Sequence, residues 1–170
     1  MYEIEEIKQN FNNKDFFMKA VIEDGLILEW ASEELKDDKE LVLEAIKQNG
    51  GSLEFASSRL KGDKEIVNIA LEHSGWVICY ASEELKNDKD IIYKAVSKDG
   101  QGLYYASEEL RGNKEIVLEA VKNKGIIIKY ASHDLRSDRD VAIHALKQNK
   151  LSKSYINPQL INDEEIKNLL

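Results

Sequence analysis

The chain has 170 residues, of which 42% are apolar and 33% are charged, and its formal net charge at pH 7 is −8. This length suits one compact domain or one short array, and it is sufficient to bury a hydrophobic core. A single proline and nine glycines argue against a disordered or collagen-like chain. Acidic and basic residues are interspersed, which argues against nucleic acid as a partner because phosphate binding relies on clustered Lys and Arg.

The N-terminus and the cysteine content bear on the cellular compartment. The first residues, MYEIEEIKQNF, mix acidic with apolar side chains, so they resemble neither a secretory signal nor a transit peptide. Apolar runs are only a few residues long, so no membrane-spanning segment is expected. Cys79 is the single cysteine, which excludes an intramolecular disulfide and fits a reducing compartment. These features predict a soluble cytoplasmic protein, while export of the effector type stays open.

A sequence motif recurs along the chain at intervals of 25 residues, and one clear copy, YASEELRGNKEIVLEAVKNKG, starts at Tyr105. We predict an N-terminal cap over residues 1–12, regular repeats over 13–150, and a degenerate repeat with a C-terminal capping helix over 151–170. Together they are expected to form a single repeat domain. One alanine marks the repeat six times, at Ala20, Ala45, Ala70, Ala95, Ala120 and Ala145.

Each copy is predicted to begin with a helix of about three turns. Asp or Asn stands at the same position of every copy, and both are preferred N-caps because their side-chain oxygens accept free backbone N–H groups. An apolar helical face follows the cap. These predicted caps are Asn13, Asp38, Asp63, Asp88, Asn113, Asp138 and Asp163. The predicted helix ends, where glycine would adopt the left-handed conformation, are Gly25, Gly50, Gly75, Gly100 and Gly125.

The rest of each copy is predicted to be a shorter helix through Ala31, followed by a Ser32-capped turn that contains Leu35. A continuous second helix is the alternative. Pro158, in the last copy, favours the capped turn because proline suits the first turn of a helix and disrupts its interior. Gly62 and its equivalents tolerate positive φ, which predicts a tight chain reversal after that turn.

These elements predict an all-α fold. Two short helices cannot bury their apolar faces alone, so neighbouring repeats must share a core. We therefore expect an α-solenoid of about six 25-residue repeats, each a three-turn helix plus a shorter helix and a turn. An aromatic column is predicted to lie in the core or to form a spine between repeats; its members are Trp30, Phe55, Tyr80, Tyr105, Tyr130 and Tyr155.

The recurring motif resembles domain of unknown function family 4116, a set of short helical repeats. The resemblance rests on the aromatic-Ala-Ser core, the Leu-Lys/Arg step and the Asp or Asn cap. The resemblance covers nearly the whole array. It also implies that proline is common at the position of Pro158, which supports the capped turn. The residues before Asn13 and the copy LSKSYINPQL depart from the pattern. The resemblance implies no known activity.

No catalytic, metal-binding or cofactor-binding residues are predicted. The three histidines stand at three different repeat positions, and no nucleotide-binding or hydrolase motif occurs. Glutamate pairs such as Glu108-Glu109 recur around the array, whereas catalytic carboxylates are normally singular, so these pairs predict a solvated outer face. The Lys and Arg residues beside them, from Lys36 to Arg136, are interpreted as part of that face.

Positions at which the repeats differ are candidates for binding a partner, because the architecture itself demands sameness. Trp76, Tyr93 and Tyr104 occupy such positions in the middle repeats, and aromatic residues are favoured interface anchors. The alternative is that each ring packs between neighbouring repeats.

The leading functional hypothesis is a non-enzymatic module that binds an unidentified protein or peptide. This rests on analogy with other helical repeat scaffolds. Binding of single-stranded RNA, with a base read by each repeat, is an alternative that the net charge weakens. A structural or self-assembling spacer is another.

Overall fold

The computed structural model describes residues 2–170, so Met1, the first residue of the predicted N-terminal cap, lies outside the described residues. Within residues 2–170, 78% of the chain is helical and no residue lies in a strand, which confirms the all-α prediction. No helix in this part of the chain is long and apolar enough to cross a membrane. The chain forms two compact units, up to Ser82 and from Glu83 onward, and the prediction of a single repeat domain stays a prediction.

Ten-residue α-helices are the main element of both units, and all seven predicted caps are confirmed. Asp38, for example, accepts a hydrogen bond from the Leu41 N–H at 3.0 Å. Shorter helices, Ile4–Gln9 and Glu164–Leu169, lie near the two ends. The ten-residue helices are Lys14–Glu23, Lys39–Gln48, Lys64–His73, Lys89–Lys98, Lys114–Asn123 and Arg139–Gln148.

Two short helices follow each long one, so the alternative of one continuous second helix is wrong. The first is a six-residue 3-10 helix, or a four-residue α-helix at Gly102–Tyr105. The 3-10 helices are Gly25–Trp30, Gly50–Phe55, Gly75–Tyr80, Gly125–Tyr130 and Lys150–Tyr155. The second is a single α-helical turn, found at Glu33–Lys36, Ser58–Lys61, Glu83–Lys86, Glu108–Arg111 and His133–Arg136. In the last copy it is the 3-10 helix Pro158–Asn162, with the proline in the first turn as predicted.

The core of each repeat is built from one face of the long α-helix and one face of the 3-10 helix, whose buried residues recur at different intervals. On the long helix, Leu41, Val42, Ala45 and Ile46 are fully buried, as the helical period predicts. On the 3-10 helix, every third residue faces the core, and Leu28 and its equivalents fill it. The alanine column from Ala20 to Ala145 is fully buried in every copy.

The glycines do not end the long helices in the left-handed conformation. Among residues 2–170 no glycine has a positive φ, and the helix ends in extended residues such as Asn49, with φ −147°. A β-carbon would lie 2.8 Å from the Ala70 carbonyl oxygen at Gly50, and 2.5 Å from the Ala120 carbonyl oxygen at Gly100. The prediction is wrong because the close approach of the next repeat, rather than backbone conformation, requires glycine.

The chain reversal after each one-turn helix is present, but it uses right-handed backbone. Gly62 and Gly112 have φ angles of −96° and −93°. At the equivalent position Asn87 has a side-chain role, since its Oδ1 accepts a hydrogen bond from Ser107 Oγ at 2.6 Å. Residues at this position therefore contact the next repeat, which the tolerance for positive φ did not predict.

A backbone hydrogen bond joins neighbouring repeats within each unit. The Ser57 N–H donates to the Lys36 carbonyl, and the Ser132 N–H donates to the Arg111 carbonyl, both at 2.9 Å. The Ser57 hydroxyl also accepts the Leu60 N–H at 3.2 Å. Each serine thus caps its own one-turn helix and binds the preceding repeat.

An ion pair joins neighbouring long helices through the same carboxylates that cap them. Lys39 Nζ lies 2.8 Å from Asp63 and 2.8 Å from Glu65. In the second unit, Lys114 Nζ lies 2.8 Å from Asp138, which caps the next long helix. The basic residue after a cap thus reaches the cap of the next helix in four copies, at Lys14, Lys39, Lys114 and Arg139, whereas Lys89 reaches Glu115 instead. The sequence pattern did not predict this role.

The ion pair changes the pKa of both the aspartate and the lysine. The hydrogen bond from Lys39 lowers the pKa of Asp63 below its ordinary value of 3.8, with burial opposing it and the Ile66 N–H reinforcing it. The hydrogen bonds to Asp63 and Glu65 raise the pKa of Lys39. A lowered carboxyl pKa adds stability above the unfolded-state value, and this contribution is lost as the pH falls through the folded-state pKa.

The alanine column gives a first prediction. Ala70→Asp or Ala95→Asp should lower the free energy of unfolding by at least about 3 kcal/mol, because each buries an unpaired charge. Urea denaturation of each variant measures the loss. Ser97→Asp is the control, since it places the same charge at an exposed position of the helix that carries Ala95. An unchanged unfolding midpoint for either alanine variant would contradict the burial of this column.

The caps give a second prediction. Asp63→Ala and Asp88→Ala should each cost about 1 kcal/mol, within a usual range of about 0.5–2, because two backbone N–H groups lose their acceptor. Asp63→Asn keeps the acceptor and loses only the partly exposed ion pair with Lys39, so it should cost less than Asp63→Ala and no more than about 1 kcal/mol.

Glu83→Ala and Glu84→Ala are the matched controls, since they remove the same charge from exposed positions. Each should change the free energy of unfolding by only a few tenths of a kcal/mol, measured from urea midpoints. Equal losses for the glutamate and aspartate variants would contradict the capping role.

Candidate functional site

The three aromatic residues predicted to bind a partner all lie at the surface. Trp76, Tyr93 and Tyr104 have exposed fractions of 42%, 38% and 52%. Trp76 lies on a 3-10 helix of the first unit, where its ring meets Tyr80 edge-on at 5.5 Å. In the second unit, Tyr93 lies on a long helix, whereas Tyr104 lies on the short helix that follows. The structure therefore places Tyr93 and Tyr104 on different elements.

Tyr104 takes part in an aromatic cluster that crosses a repeat boundary. Its ring centroid lies 4.9 Å from that of Tyr105 and 4.8 Å from that of Tyr130 in the next repeat. Lys129 Nζ lies over the Tyr130 ring, 4.7 Å from its centroid. Tyr104 thus packs between repeats, as the alternative interpretation held, and still leaves half of its surface exposed.

The aromatic column from Trp30 to Tyr155 is not part of the core. Trp30 and Tyr155 are exposed, and the four rings between them are half-buried. The reason is the period of the 3-10 helix, which turns Gly25, Leu28 and Ala31 inward and leaves residue 30 beside that face. The prediction that this column lies in the core is wrong. Its alternative, a spine between repeats, agrees with Tyr80, whose hydroxyl donates to Glu54 of the preceding repeat at 2.8 Å.

Two grooves of the second unit have equivalent walls. One, here the first groove, has a volume of about 320 Å³, and the other, the second groove, has about 410 Å³. Each lies between a one-turn helix and the start of the next one, and all seven residues that line the first have counterparts 25 residues later in the second. The main side chains are Glu108, Arg111, Lys129, Tyr130 and His133 in the first groove, and His133, Arg136, Ser154, Tyr155 and Pro158 in the second.

The basic residues at the end of the one-turn helices differ in how they are paired, and two lysine copies differ from two arginine copies. Lys36 and Lys86 each pair with the glutamate three residues earlier, at 3.2 Å and 2.8 Å. Their side chains are only 18% and 15% exposed, so the interpretation of these lysines as fully solvated is wrong. Arg111 and Arg136 make no ion pair within residues 2–170, and the Nε of each is buried without a hydrogen-bond acceptor.

The chain's net negative charge comes from its first 82 residues. Residues 1–82 contain 9 basic and 17 acidic side chains, whereas residues 83–170 contain 15 of each. The stretch from Arg111 to Lys153 contains 10 basic and 5 acidic side chains. The overall charge of −8 therefore does not describe the part of the chain that carries the two grooves.

The remaining polar residues form no recognisable metal site in the described part of the chain. His73 and His133 are exposed, and His144 is half-buried. Within residues 2–170, no group of three or more His, Cys, Asp or Glu side chains is arranged to hold a metal ion.

The unpaired arginine gives a third prediction. Arg111→Met should leave the thermal stability unchanged or raise it by up to about 1 kcal/mol, because methionine can replace the apolar stem and removes a buried N–H without an acceptor. Differential scanning calorimetry measures the change. A loss of more than about 1 kcal/mol would show that the guanidinium supports the fold.

Comparison with known proteins bears on the whole chain. The family model described as Domain of unknown function (DUF4116) matches residues 13–61, 63–111 and 113–161. Each match spans two 25-residue copies of the motif and begins at, or directly beside, a capping residue. No curated protein and no solved structure matches the chain. Because the three tandem matches cover most of its length, the chain belongs to the DUF4116 family.

Proposed function

We propose that the chain is a non-enzymatic scaffold, an α-solenoid of about six 25-residue repeats, that binds a peptide segment of another protein. The repeated architecture supplies a rigid frame, and the surface between successive one-turn helices supplies the binding site. A cytoplasmic location belongs to the same proposal, because the single cysteine fits a reducing compartment.

The array is supported by contacts that recur at the repeat interval inside each unit. The serine N–H contacts, the lysine–cap ion pairs and the close approach at glycine all join a repeat to the one after it. Hydrogen bonds from the glycine N–H groups also join successive repeats, since the Gly100 N–H donates to Asn123 and the Gly125 N–H donates to Gln148. Such nearest-neighbour contacts are the stabilising unit of solenoid proteins.

The observation that carries the proposal is the recurrence of one groove with different side chains. Both grooves have an arginine and a tyrosine at equivalent positions, Arg111 and Tyr130 in the first groove and Arg136 and Tyr155 in the second. Their variable positions differ in charge and shape, as where Lys129 is replaced by Ser154. A constant frame with varied lining is what recognition of an extended ligand by a repeat protein requires.

The causes of the lowered carboxyl pKa values support a role other than catalysis. Asp63 and Asp163 are helix caps, and the hydrogen bond from a basic side chain of the preceding repeat is the main cause that lowers the pKa of each. Perturbed carboxyl groups often mark active sites, but these ones have a structural explanation.

Binding of single-stranded RNA is the second candidate. The basic stretch from Arg111 to Lys153 and the neighbouring rings of Tyr104 and Tyr130 favour it, because RNA-binding surfaces combine cations with aromatic residues on which bases stack.

Selection of random displayed peptides on the intact chain tests the proposal. We expect binders whose affinity falls by about tenfold or more in Tyr104→Ala, because exposed aromatic residues are frequent hot spots. Tyr93→Ala is the matched control, since it removes an exposed tyrosine from the long helix and should leave the affinity unchanged.

Failure to recover any binder, or binders that bind Tyr104→Ala as well as the natural chain, would contradict the proposal. Salt-sensitive binding of a single-stranded uridine oligonucleotide in the absence of peptide binding would favour the second candidate.

A further inference from the structure

We propose that Arg111 and Arg136 each bind one carboxylate of an extended acidic peptide, so that the two grooves read acidic side chains at every third position of the ligand. This inference rests on the proposed function and names the chemistry of the partner. It is carried by the unpaired guanidinium groups, by the equivalence of the two grooves and by the local charge.

The guanidinium groups are held ready for an anionic ligand. Lys86 satisfies its charge with Glu83 at 2.8 Å, whereas Arg111 leaves Glu108 unpaired although the spacing is the same. At Arg136 the residue three positions earlier is His133, so the partner glutamate is missing from the sequence. Arginine presents its donors in a planar fork that matches a carboxylate, which an ammonium group cannot do.

The unpaired charges explain why a ligand would gain from binding here, since neither guanidinium has a counter-ion among the described residues. The Nε of each arginine is buried, so a carboxylate placed against the outer end of the guanidinium accepts from the terminal nitrogens. Tyr130 and Tyr155 line the same grooves and offer an apolar wall to the methylene groups of a glutamate side chain.

The repeat geometry sets the spacing of the acidic residues. The long helices Lys114–Asn123 and Arg139–Gln148 pack directly against each other. Packed helices are separated by roughly 8–10 Å, and a polyproline II chain rises by roughly 3.1 Å per residue with about three residues per turn. A peptide in this extended conformation therefore presents every third side chain to the same face and advances by about three residues from Arg111 to Arg136.

The surrounding carboxylates favour a peptide over a nucleic acid. Glu108 and Glu109 flank Arg111, and Asp134 precedes Arg136 by two residues. All three are exposed. A ligand with one anionic group per repeat avoids these carboxylates, whereas a strand with a phosphate on every nucleotide places some of them opposite like charge.

Fluorescence anisotropy with defined peptides tests the inference. The probe carries glutamate at every third position among serine and glycine residues, and its matched control is an isomer of the same composition with adjacent glutamates. We expect the spaced peptide to bind at least about tenfold more tightly than the isomer, because only the spaced peptide reaches both arginines at once. A glutamine version of the spaced peptide should not bind.

Variants of the protein locate the contact. Arg111→Gln and Arg136→Gln should each weaken binding by about tenfold, while Arg111→Lys should fall between that variant and the natural chain. Lys122→Gln removes the same charge from an exposed position of a long helix, so it should leave the affinity within about twofold. Melting temperatures of all the variants check that the fold is kept.

The outcomes separate this inference from the proposed function. Binders from the random library that require Tyr104, without binding of the acidic peptides, would overturn the inference and leave the scaffold proposal intact. Absence of any peptide binding would overturn both. Tighter binding of a uridine oligonucleotide than of the spaced peptide, lost in Arg111→Gln, would assign the arginines to phosphate recognition instead.

Discussion

The carboxylate that starts one long helix also binds the repeat before it, and the rest of the architecture depends on this shared contact. Asp63 accepts the backbone N–H groups of Glu65 and Ile66, and it receives the Lys39 ammonium at 2.8 Å. One side chain therefore fixes where a helix begins and how it lies against its neighbour. The same arrangement recurs where Lys114 pairs with Asp138, so the position of one repeat guides that of the following one inside a unit.

Most polar groups of the frame have partners, and this makes the exceptions informative. The N–H groups of the capping serines and of Gly25, Gly100 and Gly125 bind neighbouring repeats, as do the carboxylates of Asp63 and Asp138. In the part of the chain that the structure describes, the buried Ser52 Oγ and the buried Nε of Arg111 and Arg136 have no hydrogen-bond partner. The two arginines also lack a counter-ion there, whereas Lys86 at the equivalent position pairs with Glu83. Buried polar atoms without partners are uncommon in native proteins, so each one calls for an explanation. The architecture thus separates residues that hold the repeats together from residues left free to bind.

Much of the fold could be predicted from the sequence because local chemistry decides it. Cap residues, the alanine column and Pro158 act through their own backbone or through a helical period, and the structure confirms all of them. Predictions failed where a neighbouring repeat decides: Gly100 is required by the Ala120 carbonyl, a contact that no local pattern reveals. The aromatic column lies outside the core because most of the short helices that carry it follow a 3-10 period rather than an α-helical one. No pattern in the sequence predicts the two grooves, although the change from lysine to arginine at positions 111 and 136 is a visible signal.

The arginine Nε–H groups allow the most direct test, because the chain contains its own controls. Nε of Arg59 and of Arg139 donates to an aspartate, whereas Nε of Arg111 and of Arg136 does not. In a ¹⁵N-resolved NMR titration with the spaced acidic peptide, the Nε–H resonances of Arg111 and Arg136 should shift together, because a carboxylate charge arrives beside each guanidinium. The two paired arginines should keep their positions. Shifts confined to Arg59 and Arg139, or no shift at any of the four while the peptide is bound, would contradict the assignment of the two grooves.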